Sequence, residues 1–451
     1  MKKLSFKMMT ILLLGVFVFA SCSEDDEEDE IIVDPVESNT IVDVASGNDD
    51  FSILVDALVK TGLDDALANE DASFTVFAPT NDAFVALLDE LGVSGLDDIP
   101  NETLTSVLLY HVLNGEAPAS AVSTGYYSTL SAGPAEGYNL SLYVNKEDLM
   151  LNSRAEIVQT DVMADNGVIH VIDQVVLPLS ITGHAVANAD FASLAAAVTK
   201  AGLADALADE SALYTVFAPV NSAFDQLLSD LGVTLDDLTA DDLTPILLYH
   251  VVDAFVPAAD VASGYVPTLS PAQDRNVSLQ IGVGEGVVLN GSSNVVATDV
   301  VATNGIIHAI DEVVLPPTVV DVALDNPDFS ILVEAVVKAE LVETLNGDGP
   351  FTVFAPVNAA FEELFTALGV SGIDDIDVAT LTNVLLAHVV SGNVASTDLS
   401  NGSVATLNEA KNLEINIDNG VVIDGDINVV LADVQATNGI VHVIDKVIVP
   451  E

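Results

Sequence analysis

Six of the seven histidines in this 451-residue chain fall into two sets of three. His111, His250 and His388 follow leucine-rich runs, in "LTSVLLYHVL", "LTPILLYHVV" and "LTNVLLAHVV". His170, His308 and His442 sit in "NGVIHVID", "NGIIHAID" and "NGIVHVID". An imidazole pair that recurs three times could ligate a metal or move protons. The single cysteine, Cys22, lies far from all three pairs, so a soft tetrahedral site lacks its further ligands. The local spacing points elsewhere. His111 lies seven, four and three residues after Leu104, Val107 and Leu108, on the apolar face of a predicted helix. His170 alternates with Val168 and Ile172 in a predicted strand. Both sets read as core histidines that need hydrogen-bond partners, because a buried polar group without one is costly.

Other chemistry is scarce. The sequence holds no nucleophile elbow, phosphate-binding loop or zinc-protease helix, so neither catalysis nor a cofactor is expected. "DGDIN" places Asp424, Asp426 and Asn428 as the start of a calcium loop would, but the later glycine and bidentate glutamate are missing. The same slot reads "LNSRAEIV" and "LNGSSNVV" earlier in the chain, so it is expected to be a variable hairpin turn. Diffuse binding of divalent cations over an acidic surface is the expectation there.

The elements that must position these residues repeat as well. "FTVFAPTNDAF" (74–84) returns as "YTVFAPVNSAF" (214–224) and "FTVFAPVNAAF" (351–361). The offsets of 140 and 137 residues fit whole domains and not solenoid units. In each box a buried strand, "TVFAP", precedes a helix that starts at Asn81, Asn221 or Asn358 as N-cap and closes at Gly92, Gly232 or Gly369. A helix precedes the box (49–63, 189–203, 327–341) and another follows it (104–113, 243–252, 381–390). The Asn-Gly pairs at the end of each copy signal antiparallel hairpins. Helices early and strands late predict an α+β domain. "LSITGH" reads as a short linker between the first two copies.

The chain begins with Lys2, Lys3 and Lys7, then an apolar run from Met8 to Ala20, then Ser21 and Cys22. This layout is that of a secretory signal, and small residues before a lone cysteine resemble a bacterial lipoprotein signal. By that resemblance Cys22 becomes the lipid-bearing N-terminus, and the bilayer is met through the lipid alone. Seven consecutive acids, Glu24 to Glu30, self-repel and predict an extended tether, similar to that of lipoproteins displayed outside the outer membrane. The expected layout is signal peptide 1–21, tether 22–39 and domains 40–178, 179–316 and 317–451. The formal charge of −58 becomes −61 once the signal and its three lysines are removed. Such a surface repels nucleic acid.

The "TVFAP-x-N-x-A-F" box, the "YH" pair and the "NG-x-I-H-x-I-D" strand together resemble the fasciclin-like domain, over residues 40–451. The resemblance implies three tandem domains, each a wedge-shaped β-sandwich flanked by helices. It implies cell adhesion through contact with matrix, or with a cell-surface protein or glycan. In animal relatives the Tyr-His pair is implicated in receptor contact; Tyr110-His111 and Tyr249-His250 match it, and Ala387-His388 departs from it. Two other roles stand beside adhesion. One is a glycan-binding module, for which Tyr126, Tyr127, Tyr138 and Tyr143 of the first copy would supply the rings. The other is a structural spacer.

Overall fold

The structure, a computed structural model, describes residues 39–450. In the first domain, α1 (Ile41–Ser46) is capped by Thr40, whose hydroxyl accepts the Asp43 N–H. A 3-10 turn at Asp49–Phe51 leads into α2 (Ser52–Thr61) and α3 (Asp64–Leu67). Then come β1 (Phe74–Pro79), α4 (Asn81–Leu91), α5 (Asn101–Tyr110) and β2 (Val112–Asn114). Five strands finish the domain: β3 (Gly125–Ala132), β4 (Asn139–Asn145), β5 (Met150–Leu151), β6 (Ala155–Ala164) and β7 (Gly167–Ile172). The second and third domains repeat the same order of helices and strands.

Each domain is a seven-stranded sheet curled towards a barrel, with the helices packed against it. The first sheet closes through Leu113 opposite Thr129, and the other two stay open at that seam. The pairing is not wholly antiparallel, as the hairpin signals alone imply. β1 runs parallel to β7, from Phe74 opposite Gly167 to Pro79 opposite Ile172. Both strands are buried along their whole length, as parallel neighbours covered on two faces tend to be.

Those two faces define two cores. Val76 and Ala78 point to the helical side and pack with Leu54, Phe84, Leu104 and Ile169. Phe77, between them, points to the other side and packs with Tyr110, Leu142, Leu151 and Ile172. The alternation of β1 thus ties the helical layer to the strand layer. The other domains show the same split.

Three local expectations are corrected. The helix expected over 104–113 ends at Tyr110, leaving His111 as its C-cap. Thr80, and not Asn81, caps α4. The Asn81 amide reaches back instead to the start of α2, accepting the Ile53 N–H at 2.9 Å and donating to Asp49 O at 2.8 Å. It satisfies groups that the first turn of α2 leaves open, and Asn221 and Asn358 do the same. "LSITGH" is no linker: its last residues begin the helix Ile181–Ala187, the counterpart of α1.

The Asn-Gly pairs do mark hairpins, but the two residues have further duties. Asn166 accepts the Ile41 N–H at 2.8 Å and donates to Leu67 O at 2.7 Å, so it ties α1 and α3 to the hairpin. Gly167 has φ +149° and lies against the Phe74 carbonyl, where a Cβ would come within 2.0 Å. Only glycine fits there.

Candidate functional site

The six repeated histidines occupy two kinds of buried slot. His111 sits where α5 hands over to β2. Its Nδ1–H donates to Val107 O at 2.7 Å, and Nε2 accepts the Val176 N–H at 3.0 Å. His250 makes the same pair of bonds to Ile246 and Val314, and His388 to Val384 and Ile448. A carbonyl can only accept and an N–H only donate, so each ring is fixed as the neutral Nδ1–H tautomer. Each one staples the helix end to the segment that leaves its domain. Burial pushes all three down to about 4, against support from the carbonyl bond.

The second set uses the opposite tautomer. His170 accepts the Asp161 N–H at Nδ1, at 3.3 Å, and donates from Nε2 to Ala117 O at 3.0 Å. His308 bonds Asp299 and Val256, and His442 bonds Asp433 and Val394. The three aspartates have φ of +59°, +61° and +65° in bulged strands. Their carboxylates accept the N–H of Ala119, Ala258 and Ser396. Burial lowers His308 and His442. Every ring nitrogen in both sets is already engaged. The recurring aspartate is an element that the histidine pattern did not disclose, although "TDV", "TDV" and "ADV" stand in the sequence at these three positions.

Tyr110 and Tyr249 point into the strand cores. Tyr110 donates to Ser141 O at 2.7 Å and accepts from Asn152 at 3.0 Å. Tyr249 does the same with Ser278 and Asn290. Burial drives both phenols well above their usual range. The third domain replaces the pair: Ala387 stands for the tyrosine, and Asp424 stands for the asparagine. Asp424 pairs with Lys411 at 2.7 Å and accepts the Glu414 N–H at 2.9 Å. Asp426 holds Lys446 at 2.9 Å, and Asn428 bonds Asp445 at 2.7 Å. The three candidate calcium ligands therefore each have a separate partner. Among the described residues no cluster of three His, Cys, Asp or Glu side chains is arranged to hold a metal ion. No described helix is long and apolar enough to cross a membrane. Cys22 and the tether lie outside the described residues.

A set of contacts joins one domain to the next, and the same joint occurs twice. Ser141 Oγ accepts the N–H of Val301 in the second domain at 3.0 Å. Ser278 Oγ accepts the N–H of Gln435 in the third at 3.0 Å. The Tyr126 hydroxyl accepts from Asn188 at 3.3 Å, and the Tyr265 hydroxyl accepts from Asn326 at 3.2 Å. Val301 and Ile306 complete the strand core of the first domain. Tyr126 packs against the helical core of the second, and Tyr265 against that of the third. Arg275 adds a contact across the second joint to Asp398 at 3.4 Å.

Of the four tyrosines that would have formed a sugar platform, Tyr126 and Tyr138 are taken up by the first joint. Tyr126 stacks at 5.1 Å from Tyr143, which is buried, and Tyr138 meets Phe255 of the second domain at 5.3 Å. Tyr127 bonds Ser123 within its own domain. The seventh histidine, His184, sits in the first joint, fully buried and edge-on to Tyr126 at 5.4 Å. Neither of its ring nitrogens makes a hydrogen bond of ordinary geometry. Burial pushes it down to about 4, with the Val301 backbone opposing weakly. The corresponding positions, Val44 and Val322, are aliphatic.

Comparison with known proteins agrees with this plan. The model of the fasciclin domain matches residues 49–178, 189–316 and 327–450. Transforming growth factor-beta-induced protein ig-h3 of Sus scrofa is 30% identical over 424 residues, covering 92% of this chain and 58% of that one. Protein sll1483 of Synechocystis is 42% identical over 133 residues, covering 30% of this chain and 73% of that one. A solved domain pair from the insect cell adhesion molecule Fasciclin I shares 20% identity with a TM-score of 0.36, covering 58% of this chain and 95% of that one. The chain spans little more than half the length of the ig-h3 proteins it matches. Three consecutive matches to one domain, together covering most of its length, place this chain in the fasciclin-domain family.

Proposed function

We propose that this protein is a lipid-anchored adhesin of the outer membrane, exposed at the cell surface, that attaches the cell to matrix or to neighbouring cells. Fasciclin domains occur in cell-adhesion proteins, and three of them follow one another here. The observation that carries the reading is the joint repeated between successive domains. It holds three similar surfaces in fixed succession, an arrangement in which weak contacts gain from tethering. With a charge of −61 after signal removal, approach to another anionic surface is opposed at low ionic strength. Salt screens that repulsion and divalent cations bridge it. A glycan module is less favoured, because the tyrosine cluster is mostly covered.

The test compares a deletion strain with strains expressing one, two or three domains, scored for attachment across a salt and calcium series. Attachment is expected to rise with domain number and with calcium. Equal attachment by the deletion strain at every condition would overturn the adhesin reading and leave a spacer or a glycan-binding module.

A further inference from the structure

The helical half of the third domain contains a cavity of about 130 Å³. It lies between the helices Val319–Leu324, Ser330–Lys338 and Val378–Leu386 and the strand Phe351–Pro356. Every lining side chain is a hydrocarbon except His388. Both nitrogens of that ring are already bonded, to Val384 O and the Ile448 N–H, so it offers an occupant only its carbon face. Two lining residues, Leu324 and Val337, are 57% and 59% exposed, so the cavity reaches the surface between them.

The second domain has the same space between the same elements, but it shrinks to about 50 Å³. Six substitutions separate the linings: Ile181, Val186 and Ala195 of the second domain give way to Val319, Leu324 and Val333, and three more bear on polarity or bulk. Val320, Val337 and Val342 of the third domain stand where the second has Thr182, Thr199 and Ala204. Both threonine hydroxyls are held locally, Thr199 by Ala195 O at 2.8 Å and Thr182 by Ser180 at 3.1 Å. The lining also extends to Phe354 in the third domain, whereas its equivalent Phe217 does not line the smaller space. The third copy's space is thus larger and free of hydroxyls, while the fold around it stayed the same.

We propose that this cavity is a binding site for a small uncharged hydrocarbon group. Its size and lining resemble those of engineered cavities of about 150 Å³, which stay dry and take up benzene or xenon. With no free donor or acceptor on the wall, a polar occupant would lose its hydrogen bonds on entry. The surrounding charge disfavours an anionic head group: Asp321 and Glu334 lie on the lining helices, Asp325 caps the first of them, Lys338 is paired with Asp374 at 3.8 Å, and the chain carries −58 overall. The occupant is therefore a free apolar molecule or the tip of an alkyl chain with a neutral head.

The test uses the purified chain with methyl-labelled valine and leucine. Benzene is expected to shift the methyl signals of Val320, Val336 and Leu385 saturably, and those of Val198 and Leu247 at least tenfold less. Octyl glucoside below its micelle concentration tests the alkyl source against octanoate, which is expected to bind at least tenfold more weakly. Benzene binding without octyl glucoside binding would assign the site to free hydrocarbons; binding of both would assign it to chain tips as well. The double variant V320T/V337T introduces side chains that the second domain already tolerates, and it should weaken benzene binding about tenfold. A xenon-pressurised crystal of the unaltered protein gives a readout that does not depend on any variant. Absence of saturable shifts up to the solubility of benzene, or no xenon in the cavity, would overturn the proposal. Equal occupancy in the second domain would also overturn it.

Discussion

Ser141 and Val301 lie 160 positions apart in sequence, yet the hydroxyl of one accepts the backbone N–H of the other at 3.0 Å, across the boundary between two domains. The bond is buried, and Tyr126 and Asn188 close the contact beside it. The third domain carries Ser403 and Asn412 at the strand positions of Tyr126 and Ser141. Replacing Tyr126 by Ser and Ser141 by Asn should therefore separate the first two domains without unfolding either. Losing the tyrosine contact and one buried hydrogen bond should cost roughly 2–4 kcal/mol of coupling. Calorimetry should show a separate first-domain transition in the double variant. A trace identical to that of the unaltered protein would mean that the joint contributes no coupling.

His250 and His308 each satisfy two backbone groups in the second domain. Changing either to Ala leaves an N–H and a C=O buried without partners and should lower that domain's stability by about 1–3 kcal/mol. Denaturant titration reads the change. A stoichiometric metal that co-purifies with the protein and is lost in either variant would show that the rings do something else.

Acid should unfold the second domain first. His111, His184, His250 and His388 have folded-state values of about 4, below the ordinary 6.5. Between those two pH values the unfolded chain binds more protons than the folded one. The stability these groups confer is therefore complete above pH 6.5 and is lost as pH falls towards about 4. The loss approaches about 3 kcal/mol per ring, and the second domain alone holds two such rings. Asp325, raised to about 6 by burial and by Asp321, works in the opposite sense, and its stabilisation fades as pH climbs from 3.8 to 6. Histidine ring resonances followed by NMR should stay in the neutral state down to pH 5 in the folded protein. A His250 resonance that titrates near 6.5 would contradict this.

Glu340 occupies a left-handed position, with φ +58°, where the first two domains have Gly62 and Gly202, both at φ +70°. A side chain there costs about 1 kcal/mol that glycine avoids. Glu340→Gly should raise the stability of the third domain by about that amount in denaturant titration. An unchanged or lowered midpoint would refute the strain.

Much of the architecture was legible because it recurs. The apolar spacing around Phe84, Leu87 and Leu104 disclosed the helices, and the "TVFAP" run disclosed β1. The parallel pairing of β1 with β7 was not legible, since it joins segments about ninety residues apart and no local pattern encodes the partner. The role of Asn81 was missed for a related reason: a residue at a helix start is expected to cap its own helix, while its amide serves another one. His184 escapes a reading built on recurrence because it has no histidine counterpart: the other copies have Val44 and Val322 there. The joints themselves left a trace. Tyr126 and Ser141 return as Tyr265 and Ser278, and both are absent from the third copy.

That absence bears on how far the stacking can go. An interface in which one face of a unit docks on a different face of the next has no symmetry to close it, and it can add units indefinitely. In this chain the advancing face of the first domain is intact enough to leave Met163 55% exposed at the position where Val301 and Gln435 are buried. The receiving face of the third domain ends the series, with exposed Ser403 and Asn412 in place of the tyrosine and serine. A further unit stacked on that face would meet neither the tyrosine nor the serine that build both joints of this chain.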